Sequence, residues 1–275
     1  MALPSNAPHP SLLPHCGRRG LIALEVTGIK KSFGGVAAVR GIDFSVAAGE
    51  AVALIGPNGA GKTTTFNVIN GQIKPDAGRV CLHNSDITGL APERLFRLGV
   101  ARTFQITATF ASMTVRENVQ MALMSHTRQA HSVTRLAATE CANLAWSMLV
   151  DIGLAEQAPL SAATLAYGDL KRLELAMALA NRPRLLLMDE PTAGMASAER
   201  ELLMQVAIRA CRERNVALLF TEHDMDVVFG FADRVIVMNR GRIIAEGSPD
   251  EVRANEEVRA VYLGGTITRE SVDHA

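Results

Sequence analysis

The residues Gly56, Pro57, Asn58, Gly59, Ala60, Gly61, Lys62, Thr63 and Thr64 constrain this chain more than any others, because they fill every fixed position of G-x-x-x-x-G-K-[ST]. The apolar run at 51–55 ahead of them reads as a buried strand, and 63–70 reads as a helix stopped by Gly71. Strand, glycine loop and helix in that order make a phosphate cradle. Glycines let the backbone turn sharply and approach the ligand, so that successive N–H groups and the positive end of the helix dipole meet phosphate oxygens. Lys62 then reaches the β- and γ-phosphates of a nucleoside triphosphate, and the Thr63 hydroxyl holds a Mg²⁺ ion. The competing interpretation is a glycine-rich turn that happens to carry a lysine. It explains neither flank.

At 275 residues the chain has room for one large domain or for a core with a smaller lobe, and its 48% hydrophobic content supplies a buried interior. Lys and Arg number 28 and Asp and Glu 28, so no overall field draws the chain to nucleic acid or anionic lipid, and no nucleic-acid partner is expected. Cys16, Cys81, Cys141 and Cys211 form neither a C-x-x-C pair nor a zinc spacing, which predicts scattered reduced thiols. No apolar run approaches the roughly 18 to 20 residues that span a bilayer, so a membrane role would pass through a partner. Residues 1–20 carry Pro4, Pro8, Pro10, Pro14 and an Arg18-Arg19 pair but no sustained apolar core of an export signal; they read as a disordered extension. Residues 264–275 read as a flexible tail.

Between the extension and the cradle, branched runs at 21–27 and 42–46, separated by glycine turns at Gly34-Gly35 and Gly41, predict a small antiparallel sheet. Phe33 falls in its first turn, where an aromatic face either stacks on a nucleotide base or simply packs the turn. Beyond the cradle, Thr114, Val115, Arg116 and Glu117 form a capping box that opens a helix, and 136–152 gives a second helical pattern, so a helical lobe is expected from about 112 to 161. Gln105, at the end of the apolar stretch 100–104, reads alone as a surface side chain.

A second strong signal follows the amphipathic helix predicted at 170–180. Leu185, Leu186, Leu187 and Met188 read as a buried strand that delivers Asp189 and Glu190 to its carboxyl end, the edge of a parallel sheet at which ligands of open α/β folds bind. Asp189 is placed to hold the Mg²⁺ of a nucleotide, directly or through water. Glu190 is placed to orient and deprotonate an attacking water, a role worth about 10²- to 10⁴-fold in rate. His223 stands just past the strand predicted at 216–221, where it either serves structure or contacts a transferring phosphoryl group.

Taken in order, these residues resemble the ATP-hydrolysing subunit of ATP-binding cassette transporters over residues 21–263. The resemblance implies an α/β P-loop core with an antiparallel β subdomain and an inserted α-helical subdomain. It implies Phe33 as the adenine-stacking residue, 56–64 as the Walker A loop, Asp189 and Glu190 as the Walker B pair and His223 as the switch histidine. Gln105 matches the Q-loop, with a part in metal binding and catalysis. The segment Leu165, Ala166, Tyr167, Gly168, Asp169 is similar to the signature Leu-Ser-Gly-Gly-Gln, which meets ATP held by a second copy; Ala166 replaces its serine and Tyr167 its first glycine. Ala193, Gly194, Met195 and Ala196 stand where the family usually has an Asp.

Gly56 to Lys62, Arg102 to Gln105, Met113 to Asn118, Leu165 to Gly168, Glu222 to Met225 and Glu246 to Pro249 resemble, within that family, bacterial importers of branched-chain amino acids and related compounds. The implied cofactors are ATP and Mg²⁺. The implied partners are two integral-membrane permease subunits, a second ATPase subunit identical or related to this one and, indirectly, a periplasmic substrate-binding protein, with the chain peripheral at the cytoplasmic face of the bacterial inner membrane. The ATPase subunit of a lipid or lipopolysaccharide exporter would share the catalytic motifs, and a soluble cassette protein is a further alternative. A non-enzymatic nucleotide switch leaves Glu190 and His223 without a task.

Overall fold

Four strands of the chain, Ala51–Ile55 (β3), Leu185–Asp189 (β7), Ala217–Thr221 (β8) and Arg234–Asn239 (β9), bury nearly every residue, which only a parallel sheet covered on both faces can accommodate. The computed structural model describes residues 22–103, 109–127 and 135–263. The extension at 1–20, Gln105 and the tail at 264–275 lie outside these described residues. The buried strands form a six-stranded sheet with Val100–Thr103 (β6) and Arg242–Gly247 (β10), in the order β10-β9-β3-β8-β7-β6. Pairing is parallel throughout except for the β9-β10 hairpin.

Side chains alternate across this sheet with period two. Ala53, Ile55, Leu186, Met188, Leu218, Phe220, Val235 and Val237 belong to one apolar cluster. Their neighbours Val52, Leu54, Leu185, Leu187, Leu219, Ile236 and Met238 belong to the other. The first cluster is covered by the helices Val115–Thr127 (α3), Arg135–Asp151 (α4), Tyr167–Ala180 (α5) and Ser197–Glu213 (α6). The second is covered by Lys62–Ile69 (α1) and by a four-stranded antiparallel sheet, in which Ile22–Phe33 (β1) lies between Val36–Ala47 (β2) and Ala77–Leu82 (β4), with Ser85–Asp86 (β5) at the edge. The α/β core with an antiparallel β subdomain matches the architecture expected from sequence.

Gly41 makes no turn: it lies inside β2 at φ 87°, near register shifts in the β1-β2 ladder, and the stem of Lys30 packs beneath it. A strand glycine marks a bulge as readily as a break, and here the bulge lets two 12-residue strands continue past it. Cys81, on β4, is disulfide-bonded, so the expectation of reduced thiols applies to Cys141 and Cys211, which are free.

Thr114 and Glu117 make the reciprocal hydrogen bonds of a capping box at the start of α3. The lobe built on α3 and α4 joins α5 through Arg172, which donates to the carbonyls of Ile152 and Gly153 and pairs with Asp169. Met225–Phe231 (α7), Pro249–Ala254 (α8) and Glu256–Leu263 (α9) complete the chain, and Ser248 and Glu251 form a second capping box at α8. Pro92–Leu98 (α2) leads into β6.

Candidate functional site

The loop between β3 and α1 is shaped by glycines that no other residue can replace without displacing backbone. Gly56 has φ 151° and Gly61 φ 105°; a Cβ on Gly56 would lie 2.1 Å from the Met238 carbonyl oxygen, and one on Gly61 2.5 Å from that of Ala38. The loop is thus pressed between β9 and β2. The Gly241 N–H donates to the Ala60 carbonyl and the Arg40 N–H to the Gly241 carbonyl, which fastens the cradle to the β9-β10 turn and to the antiparallel sheet. Gly59, also at positive φ, would bring a Cβ within 4 Å of nothing and lies exposed with Asn58, while Pro57 is half-buried.

Lys62 begins α1. Its ammonium is buried and donates to the carbonyls of Gly56 (2.7 Å) and Pro57 (3.3 Å). Burial lowers its pKa, and the nearby carboxylates of Glu190 and Asp189 pull it part of the way back. Thr63 and Thr64 follow in the first turn, Thr63 exposed. The α1 N-terminus has no side-chain cap, so its N–H groups are available to an anion.

The acidic groups come from the neighbouring strand ends. Asp189 closes β7, and both its oxygens are engaged: Oδ1 accepts from Thr221 Oγ1 (2.7 Å) and Oδ2 from Arg102 Nη2 (2.7 Å). Glu190 has φ 48°, a conformation unfavourable for a side chain with a Cβ, and its N–H donates to Thr221, to the carbonyl oxygen and to Oγ1, both at 3.1 Å. The carboxylate of Glu190 meets His223 Nε2 at 2.9 Å, with the Glu190 side chain 29% and the His223 side chain 52% exposed. Beneath them, buried Glu222 accepts from the Thr192 N–H (2.9 Å), the Thr192 hydroxyl (2.6 Å) and the His223 N–H (3.2 Å), so one carboxylate ties the loop after β7 to the loop after β8.

The cradle, Asp189, Glu190 and His223 therefore share the carboxyl edge of three adjacent strands, β3, β8 and β7. Arg102, Thr221, Glu222 and Thr192 were not marked as functional by the sequence. Each acts through a partner distant in the chain; Arg102 and Glu222 stood out only as members of the family-like segments 102–105 and 222–225.

The other sequence candidates stand apart. Phe33 ends β1, 47% exposed, with the Lys31 ammonium 5.5 Å from its ring centre. Ala166 is the N-cap of α5 without a side-chain cap, so Tyr167 and Gly168 lie in the first helical turn rather than ahead of it. The Tyr167 hydroxyl donates to the Ala193 carbonyl at 3.3 Å, the Lys171 ammonium lies 5.6 Å from its ring centre, and a Cβ on Gly168 would meet the Glu199 carboxyl at 2.9 Å.

The residues fit a nucleotide with a hard divalent cation. The loop offers bare backbone at Gly56 and Gly61, and the carboxylates of Asp189 and Glu190, near enough to act on Lys62, supply the oxygen chemistry that Mg²⁺ prefers.

A family model described as ABC transporter matches residues 39–193, and one described as branched-chain amino acid ATP-binding cassette transporter matches residues 242–267. The high-affinity branched-chain amino acid transport ATP-binding protein BraF of Pseudomonas aeruginosa is 39% identical over 248 residues, covering 88% of this chain and 97% of that protein. Its namesake LivG of Escherichia coli K12 is 39% identical over 249 residues with the same coverage. Among solved structures, the ADP conformation of the ATP-binding cassette MJ1267 superposes with a TM-score of 0.77 at 30% identity, over 89% of this chain and 100% of that one. The dimeric post-hydrolysis cassette MJ0796, bound to ADP and Pi, does so with a TM-score of 0.69 at 25% identity, over 82% of this chain and 98% of that one. Since one family match spans both the cradle and the Asp189-Glu190 pair, and relatives run almost end to end with the chain, it belongs to the ABC transporter family as an ATP-hydrolysing cassette.

Proposed function

We propose that this chain is the ATPase subunit of a bacterial importer of branched-chain amino acids or related compounds. The observation that carries the proposal is the convergence of Lys62, Asp189, Glu190 and His223 at neighbouring strand ends. The family match at 242–267 and the named roles of BraF and LivG support the substrate class. The described helices include none long and apolar enough to cross a membrane, so transport needs integral-membrane permease subunits, and we place the chain against them at the cytoplasmic face of the inner membrane. A periplasmic binding protein would deliver the substrate to those permeases, and a second cassette, identical or related, would complete the engine.

In this reading Lys62 and the loop N–H groups of 56–64 bind the triphosphate, and Phe33 stacks on the adenine. Thr63, Asp189 and Gln105 hold Mg²⁺, which supplies charge neutralisation at the phosphates. Glu190 accepts a proton from the water that attacks the γ-phosphate. His223, 2.9 Å from that carboxylate, holds it in place and contacts the phosphoryl oxygens. Ala166, Tyr167 and Gly168 present the uncapped start of α5 to ATP on the partner cassette.

The test uses two variants of the full chain. Lys62→Ala is expected to abolish ATP binding, and Glu190→Gln to retain it while turnover slows by at least about a hundredfold. Full ATPase activity in Glu190→Gln would remove Glu190 from the mechanism. Tagged Glu190→Gln, held with Mg-ATP and recovered from detergent-solubilised native membranes, should bring two permease subunits with it; envelope-export permeases in their place would move the chain to an exporter.

A further inference from the structure

Arg102 sits on β6, the edge strand of the large sheet, and its guanidinium reaches three places at once. Nη2 donates to Asp189 Oδ2 at 2.7 Å, and Nη1 donates to Asn67 Oδ1 at 2.8 Å and Gln72 Oε1 at 3.0 Å. The Arg102 and Asp189 side chains are each only 10% exposed. Asn67 lies on α1, the helix that opens with Lys62 and Thr63, and Gln72 lies just beyond its end. One planar cation therefore spans from the helix of the phosphate cradle to the carboxylate of the neighbouring strand. With Thr221 Oγ1 on Asp189 Oδ1, the carboxylate is gripped at both oxygens and its plane is fixed.

Two physical consequences follow. A rigid fork can bond Asp189 with one arm and α1 with the other, which an ammonium on a flexible stem cannot do. A cation at hydrogen-bond distance from a carboxylate also repels a divalent ion approaching that carboxylate.

We propose that Arg102 is the positioning residue of the metal site: it orients Asp189 against α1, and by sharing that carboxylate it weakens the hold on the divalent cation. The proposal rests on the reading of Asp189 as a metal-holding residue. An arrangement of this kind gives accurate placement of the ion during turnover together with a metal that leaves readily afterwards. A purely structural tie between β6, β7 and α1 would stabilise the fold and leave metal affinity untouched.

The experiment titrates Mn²⁺, followed by electron paramagnetic resonance, into the full chain with saturating adenylyl imidodiphosphate, for the unsubstituted protein, Arg102→Gln and Arg102→Lys. Arg102→Gln removes the charge and is expected to tighten Mn²⁺ binding by about tenfold while ATP turnover falls by at least about tenfold. Arg102→Lys keeps the charge and loses an arm, so Mn²⁺ affinity stays within about threefold while turnover still falls. Unchanged or weaker Mn²⁺ binding in Arg102→Gln overturns the proposal. If that variant does not fold, Arg102→Lys decides, since wild-type turnover there overturns it equally. Binding of the analogue with saturating Mg²⁺ separates the two levels of the reading. Failure of the unsubstituted chain to bind it would sink the nucleotide assignment, whereas normal binding with an unmoved Mn²⁺ affinity sinks the role of Arg102 alone.

Discussion

Lys62 shows how one residue can be both buried and charged. Its ammonium has lost most of its water, which lowers its pKa, and two features compensate: the loop carbonyls that accept from it and the carboxylates of Glu190 and Asp189 that pull the pKa upward. The protonated form is the one that grips phosphate, so nucleotide affinity should decline as pH rises through the pKa of Lys62. Glu190→Gln deletes one upward pull, leaves Lys62 with a lower pKa, and should move this alkaline decline to lower pH. Equilibrium binding of a fluorescent nucleotide from neutral to alkaline pH checks the shift; coincident curves for the two proteins would show that Glu190 does not support the lysine. The sequence made Lys62, Asp189 and Glu190 legible because each stands in a local pattern, a glycine loop or the end of an apolar run. It could not display the Arg102-Asp189 pair, since nothing local links residues 87 positions apart.

Among the elements, the strands β3, β7 and β8 were legible as short unbroken apolar runs because both their faces are buried. The lengths of β1 and β2 were less so, since Gly41 reads as a break where the chain makes a bulge. The joint between the loops beyond β7 and β8 was not legible, for it depends on Glu222 meeting Thr192, 30 positions away in sequence. That joint braces the two loops that carry Glu190 and His223, whose side chains meet at 2.9 Å. Glu222→Ala would strand the buried N–H and hydroxyl of Thr192 and should destabilise the fold by about 3 kcal/mol, whereas Thr192→Val, which removes the hydroxyl and keeps the N–H bond, should cost about 1 kcal/mol. Urea unfolding measures both. A loss below about 1 kcal/mol in Glu222→Ala would mean that other contacts hold the two loops together.

At the scale of the whole molecule, the proposed function gives the chain two surfaces that would face nucleotide. The cradle opens at the end of β3, while Ala166, Tyr167 and Gly168 begin α5, a helix packed with α3 and α4 in the cluster on one face of the sheet. Tyr167 ties that helix start to the segment after Glu190 by its bond to Ala193. In the proposed reading two chains meet in opposite orientation, each supplying its α5 terminus to the other's triphosphate; the related cassette MJ0796 is dimeric in its ADP and Pi state. Bound ATP is then part of the interface, and hydrolysis removes it. Glu190→Gln, which retains ATP, should therefore double its mass in sedimentation velocity when Mg-ATP is added, while Lys62→Ala under the same conditions remains a monomer. An ATP-loaded Glu190→Gln that stays monomeric up to about 100 μM, several times the range in which micromolar interfaces assemble, would mean that the cassette needs a different subunit opposite it. The atypical Tyr167 would then be a surface fitted to that relative and not to itself.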